Sequence, residues 1–166
     1  MSSWFRSHGY ASVYDHLIVG AVPLDEPDVR VLATLGISRV LNLVEDGEYA
    51  GYGRGARRKV ERALEKAAIE ERRLSTVDYG GLTPELLEQS TAQVNSWLDD
   101  GQIVYLHCRA GWQRSAAVAA GAIALRDGVD LEAALTQVQQ LKSNADPLPH
   151  QREDLEHWFE ARERRR

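Results

Sequence analysis

The sequence predicts an α/β fold in which a central, mainly parallel, twisted sheet is flanked by helices. Three observations carry that reading. Short apolar runs rich in β-branched residues alternate with longer segments whose apolar positions recur at helical spacing. Glycines or capping residues stand at most of the junctions between them. The chain has 166 residues, 43% of them hydrophobic, enough for one core without a disulfide or a structural metal.

The elements follow in order. Leu17 to Val19 is a short apolar run ending at Gly20 and reads as a strand. Asp25 to Leu35 reads as a helix stopped by Gly36. Val40 to Val44 is apolar and β-rich, a buried strand. Gly47 to Gly55 carries four glycines and two tyrosines and is expected to be a mobile loop. Arg57 to Ile69 is helical, with Val60, Leu64 and Ala68 on one face, and Glu70 to Leu74 returns as a strand. Thr83-Pro84 is a helix start, a capping hydroxyl followed by proline at the first helical position. Leu87, Ser90, Val94 and Trp97 then share a face, and Gly101 ends the helix. Ile103 to Leu106 is a central strand. Ser115 to Arg126 is a helix of small residues closed by Gly128. Leu131, Leu135, Val138 and Leu141 mark the next helix, with Asp130 as its cap, and a last helix begins near Pro149 and buries Leu155, Trp158 and Phe159. The closing arginines read as a solvated tail. The whole chain, 1–166, is expected to form one catalytic domain with its core at about 10–160.

Composition narrows the function classes. Lys and Arg total 20 against 25 for Asp and Glu, a net charge of -5, which speaks against non-specific nucleic-acid binding. No apolar run approaches the ~20 residues of a membrane-spanning helix. The first eight residues lack the apolar centre of a signal peptide. A single cysteine rules out an internal disulfide, and the expected compartment is the reducing cytoplasm. His8, His16, His150 and His157 show no metal-ligand spacing, and neither a metal nor a cofactor is expected.

The lone cysteine is either a small core residue or a reactive thiol, and its neighbours decide. The segment from Ile103 to Ser115 reads IVYLHCRAGWQRS. A strand runs into Cys108, five residues separate Cys108 from Arg114, and Ser115 opens a helix. A thiolate is the nucleophile, and both a helix N-terminus and converging backbone N–H groups favour one. The same cradle, Arg109, Ala110, Gly111, Trp112 and Gln113, suits the oxygens of a phosphate. Gly111 lets the backbone turn closely around the anion. Arg114 can clamp two oxygens bidentately. Ser115 can donate to the sulfur, and His107 can hold the backbone around it.

These residues resemble the signature His-Cys-x-x-Gly-x-x-Arg-Ser/Thr of the protein tyrosine and dual-specificity phosphatases. The segment LIVGAVP from Leu17 resembles the family's opening strand and turn. GISRVLNL, from Gly36, resembles the strand whose asparagine, here Asn42, braces the phosphate loop. The length is similar to the small dual-specificity branch, without an added recognition domain. The resemblance implies the phosphotyrosine protein phosphatase II-like fold and hydrolysis of phosphate monoesters through a phosphocysteine at Cys108. It also implies a general acid on a loop upstream of the cysteine strand. Asp78 occupies that place, and Asp46, after the Asn42 strand, is its competitor. Gln151 is at the start of the last helix, where tyrosine-specific members orient the hydrolytic water. Substrates of the family are phosphorylated proteins, while relatives also use phospholipids, inositol phosphates and RNA 5′ ends.

Other residues have plainer readings. Tyr79 can stack on an aromatic substrate. Arg54, Arg57, Arg58 and Lys59 form a basic cluster that is best read as a solvated helix face. Trp4, Trp97, Trp158 and Phe159 read as packing residues. Sulfur transfer or arsenate reduction also uses cysteines in anion loops, but the latter needs further cysteines. A non-catalytic phosphate-binding module is the remaining alternative.

Overall fold

The computed structural model describes residues 1–165. Five strands form one sheet: β1 (Tyr10–Tyr14), β2 (Leu17–Gly20), β3 (Arg39–Asn42), β4 (Glu70–Arg73) and β5 (Val104–His107). Their order is β1-β2-β5-β3-β4. Only the β1–β2 pair is antiparallel; the pairs β2–β5, β5–β3 and β3–β4 are parallel. The predicted α/β architecture is the one observed.

The period of two in the central strands divides the core. Leu17 and Val19, Leu41, Val104 and Leu106 point to one face and meet α5 (Pro84–Asp99), α6 (Arg114–Asp127), α7 (Leu131–Leu141) and α8 (Pro149–Glu163). Ile18, Val40 and Tyr105 point to the other and meet α2 (Glu26–Thr34) and α4 (Ala56–Lys66). Helix α6 is the buried centre of the first layer. Its mostly small residues from Ala116 to Ala124 let α5, α7 and α8 approach closely, and a Cβ at Gly121 would meet Thr91 and Trp158 at 3.2 Å and Leu155 at 3.3 Å. The cap at Asp130 and the Thr83-Pro84 start of α5 form as expected, each side-chain oxygen accepting a backbone N–H.

Three expectations need correction. The chain starts earlier than its predicted core, because α1 (Ser3–His8) buries Phe5 against Tyr105. Buried Asp28 fixes this helix by accepting from the Ser2 amide and hydroxyl and from the Leu24 amide. The glycine-rich stretch is not all loop. Residues Asp46–Ala50 form a short helix, α3, begun by a reciprocal capping box between Glu45 and Glu48. Ala68 does not share the face of Val60 and Leu64; it is exposed at φ 55, and Ala63 takes its place. The closing arginines are solvated as read, Arg164 and Arg165 being exposed, while Arg166 lies outside the described residues.

Candidate active site

The parallel strands β2, β3 and β5 end side by side at Gly20, Asn42 and His107. Loops at the carboxyl ends of such strands build sites in open α/β sheets. Cys108 leaves β5 there, and the chain circles back into α6 at Arg114.

The carbonyl groups of this loop point outward and are held. His107 Nδ1 donates to the Cys108 carbonyl at 3.1 Å. The Arg109 carbonyl accepts from the Val22 amide at 3.1 Å and from Trp4 Nε1 at 2.8 Å. The Trp112 carbonyl accepts from the Asp146 amide at 2.7 Å. The amides of Arg109, Ala110, Gly111 and Trp112 have no acceptor among the described residues. With carbonyls out and N–H groups unpaired, the loop is built to receive an anion. Gly111 has φ +76, and a Cβ there would meet the Gly20 carbonyl carbon at 2.5 Å. Glycine at 111 is therefore required by both conformation and space.

Cys108 is 3% exposed, and its Sγ is 3.3 Å from Ser115 Oγ. Burial pushes its thiol up, but Arg114, the Ser115 hydroxyl and the amides of Ser115 and Gln113 outweigh that and bring it below the usual thiol range. His107 is fully buried and pushed down to about 4, chiefly by burial, so it is a neutral brace.

Arg114 is buried and oriented by a residue the sequence reading missed. Its Nη1 and Nη2 donate to the two oxygens of Glu48 at 2.9 and 2.8 Å. Nη1 also donates to the Thr76 carbonyl at 2.8 Å. Its Nε, though buried, has no partner. One edge of the guanidinium thus belongs to Glu48, and on the edge formed by Nε and Nη2 only Nε is unpaired, Nη2 meeting Asp78. Glu48 was hidden by its place in a stretch read as a mobile loop; the capping-box pairing of Glu45 and Glu48 was the available signal. Beside the bond from Arg114, its carboxyl is held below the usual range despite burial.

Asp78 is at the mouth. Its Oδ1 is 2.9 Å from Arg114 Nη2 and its Oδ2 is 3.7 Å from Arg109 Nη1. The structure brings Asp78 to Cys108 and leaves Asp46 elsewhere: Asp46 is exposed and paired with Arg73 at 2.7 Å.

Two supporting residues lie differently from expectation. Asn42 makes no hydrogen bond to the phosphate loop. Its amide nitrogen donates to Tyr49 at 2.9 Å and Glu71 at 3.1 Å, and its oxygen accepts from the Val44 amide, so it braces the turn into α3 instead. Gln151 is fully buried rather than facing a water. Its oxygen accepts from the Leu148 amide at 3.1 Å and its nitrogen donates to the Gly80 carbonyl at 3.0 Å, which ties α8 to the loop carrying Asp78.

The cavity over Cys108 is small, about 100 Å³, and is lined by Trp4, His8, Asp78, Tyr79, Arg109, Ala110, Trp112 and Gln113. Trp4 and His8 are therefore site residues, not remote packing. Their rings stack at 3.8 Å, and the Arg109 guanidinium lies 5.1 Å from the Trp4 ring. Tyr79, at φ 61 and 64% exposed, and Trp112 form the outer rim. A larger groove of about 510 Å³ between α5 and α8 contains no nucleophile. Arg57, from the predicted basic face, pairs instead with Glu61 and Glu71, while Arg54, Arg58 and Lys59 are exposed. No group of His, Cys, Asp and Glu suited to a metal occurs among the described residues.

No family model matches the chain. Phosphatidylglycerophosphatase and protein-tyrosine phosphatase 1 of Mus musculus is 28% identical over 146 residues, which is 87% of this chain and 73% of that protein. The crystal structure of PTPMT1 has a TM-score of 0.78 and 25% identity, covering 95% of this chain and 100% of that one. PTPMT1 in complex with PI(5)P gives 0.79 and 25%, covering 94% and 97%. Human DUSP28, at 0.71 and 20% identity over 93% of this chain and 95% of that one, shares the fold.

Proposed function

We propose that this chain is a cysteine-dependent phosphatase of the tyrosine and dual-specificity type and that it hydrolyses phosphate monoesters through a phosphocysteine at Cys108, a reading supported by its similarity to such phosphatases. The observation that carries the mechanism is the ring of unpaired amides around a thiol held below its ordinary range.

Three phosphate oxygens enter the ring of amides from Arg109 to Gln113. Arg114 meets them with its Nε–Nη2 edge, and Asp78 is released from Nη2 as the phosphate takes its place. Cys108 Sγ attacks phosphorus; the S–P bond forms as the ester P–O bond breaks. Protonated Asp78 gives its proton to the leaving oxygen. The Asp78 carboxylate then takes a proton from water, whose oxygen attacks phosphorus, and the S–P bond breaks. The Ser115 hydroxyl receives the returning thiolate. Arg114 and the amides hold the charge of the equatorial oxygens through both steps. His107 and Gln151 act as braces, and no step uses a metal or a cofactor.

A phosphate on a phospholipid headgroup stands first among the proposed substrates, a choice supported by the similarity to a phosphatidylglycerophosphatase and to a structure in complex with PI(5)P. The aromatic mouth made by Trp4, Tyr79 and Trp112 favours phosphotyrosine as the second, because a ring can enter between such walls.

The test is hydrolysis of para-nitrophenyl phosphate in excess EDTA, followed by phosphate release from phosphatidylglycerophosphate, PI(5)P and a phosphotyrosyl peptide. Wild type should turn over the nitrophenyl ester and Cys108→Ser should not. Turnover that survives in Cys108→Ser overturns the mechanism. A peptide rate above both lipid rates reverses the substrate order.

A further inference from the structure

Asp78 stands in a turn that is fastened on both sides. Upstream, the Leu74 and Thr76 amides donate to the Asn42 and Leu43 carbonyls at 3.0 and 3.1 Å. The Thr76 carbonyl accepts from Arg114 Nη1 at 2.8 Å. The turn is closed by the Gly80 amide, which donates to the Val77 carbonyl at 3.0 Å. Within it Tyr79 is at φ 61, a left-handed conformation that a bulky side chain keeps only where its surroundings hold it.

The downstream fastening comes from the first turns of α8. His150 Nε2 donates to the Tyr79 carbonyl at 3.0 Å and lies 3.3 Å from the Gly80 carbonyl. Gln151 Nε2 donates to the same Gly80 carbonyl at 3.0 Å. One helical turn on, Asp154 Oδ2 accepts from the Leu82 amide at 2.8 Å. A Cβ at Gly81 would stand 3.1 Å from that oxygen, so the backbone runs directly against the carboxylate. Residues 79–82 are thus tied to positions 150, 151 and 154, which share one face of a helix. Helix α8 is itself fixed, because Leu155 and Trp158 are buried and pack at Gly121 of α6, the helix that begins with Arg114. The turn and the phosphate arginine are therefore anchored to the same packed layer.

We propose that His150 and Asp154 are positioning residues, which with Gln151 hold the backbone of 79–82 and so set Asp78 within reach of the leaving oxygen. This rests on the reading of Asp78 as the general acid. The turn keeps its place during the reaction, and the Asp78 carboxyl alone swings from Arg114 Nη2, 2.9 Å away, to the ester oxygen. Neither His150 nor Asp154 touches substrate; both act through the placement of Asp78.

The test compares two esters by kcat/KM, which reads through formation of the phosphocysteine. Phenolate leaves phenyl phosphate poorly without a proton, whereas the phenolate of dinitrophenyl phosphate leaves without one. Asp154→Ala and His150→Ala should each lower kcat/KM for phenyl phosphate by about ten- to a hundredfold, as a misplacement of about 1 Å does. Both should keep the dinitrophenyl ester within about twofold of wild type. Asp154→Asn, which retains an oxygen for the Leu82 amide, should restore the phenyl ester rate. An equal loss on both esters, or no loss on either, overturns the proposal. In the Asp78→Asn background Asp154→Ala should cost nothing further, and a second fall of the same size also overturns it. Should Asp154→Ala not fold, His150→Ala gives the same comparison from an exposed position. An Asp78→Asn enzyme with the wild-type ratio of the two esters is a different failure, since it removes the acid assignment itself.

Discussion

Acid should weaken the fold through His107 before any general unfolding by acid sets in. The ring is fully buried, gives Nδ1–H to the Cys108 carbonyl, and leaves Nε2 without a partner. Protonation would put an N–H and a charge where nothing receives them, and burial accordingly pushes the group down from 6.5 to about 4. Between those values the unfolded chain binds a proton that the folded chain refuses, so stability rises with pH across the window. The contribution is complete above 6.5 and lost as pH falls toward 4. A difference of roughly 2.5 units at 1.36 kcal/mol each is about 3 kcal/mol, a substantial part of the roughly 5–15 kcal/mol of a typical domain. His107→Asn keeps a donor near the Cys108 carbonyl and cannot titrate. Urea unfolding followed by tryptophan fluorescence, repeated across that pH range, should show a steeper loss of stability in wild type than in His107→Asn. Carboxylates such as Glu48 and Asp46 titrate in both proteins and cancel in the difference. Parallel curves for the two proteins would refute the assignment of a neutral, proton-refusing brace.

Other expectations follow from the same geometry. Asp78→Asn should lower kcat by roughly 10²–10⁴ with little change in KM; an equal fall in substrate affinity would make Asp78 a binding residue. The acid limb of kcat/KM should lie below the range of a free thiol because Arg114 and Ser115 hold Cys108 down against burial, and Ser115→Ala should move it upward. Gly111→Ala should cost about 1–2 kcal/mol for φ alone, and more from the approach to the Gly20 backbone, seen as a lower melting temperature and lost phosphate affinity. Glu48→Gln should raise KM and the inhibition constant of inorganic phosphate, since one arm of the clamp on Arg114 is lost; unchanged phosphate inhibition would show that the guanidinium is held without it.

Much of the fold was legible because its signals are local. The strand–loop–helix from Ile103 to Ser115 carries its own start, turn and stop, and the central strands carry apolar runs that nothing else explains. What escaped notice depends on distant partners. Helix α1 is short and only makes sense once Asp28 receives Ser2 and Phe5 reaches Tyr105. Trp4 and His8 looked like packing and an idle histidine because their neighbours, Arg109 and Trp112, are a hundred residues on in the chain. Glu48 was masked by glycines that suggested mobility, although the Glu45–Glu48 box orders that stretch as helix. Gln151 and Asn42 were found as residues but not as contacts: both amides are spent on backbone and side-chain partners that spacing alone does not reveal.

The most direct measurement is rapid acid quenching of turnover with a phosphate-labelled ester, followed by mass spectrometry of the peptides. In wild type, and more strongly in Asp78→Asn if the second step slows more than the first, one phosphoryl group should be found on the peptide that contains Cys108 and on no other. Turnover that proceeds with Cys108 unmodified at every time point, or that continues undiminished in Cys108→Ser, would contradict covalent catalysis at this cysteine.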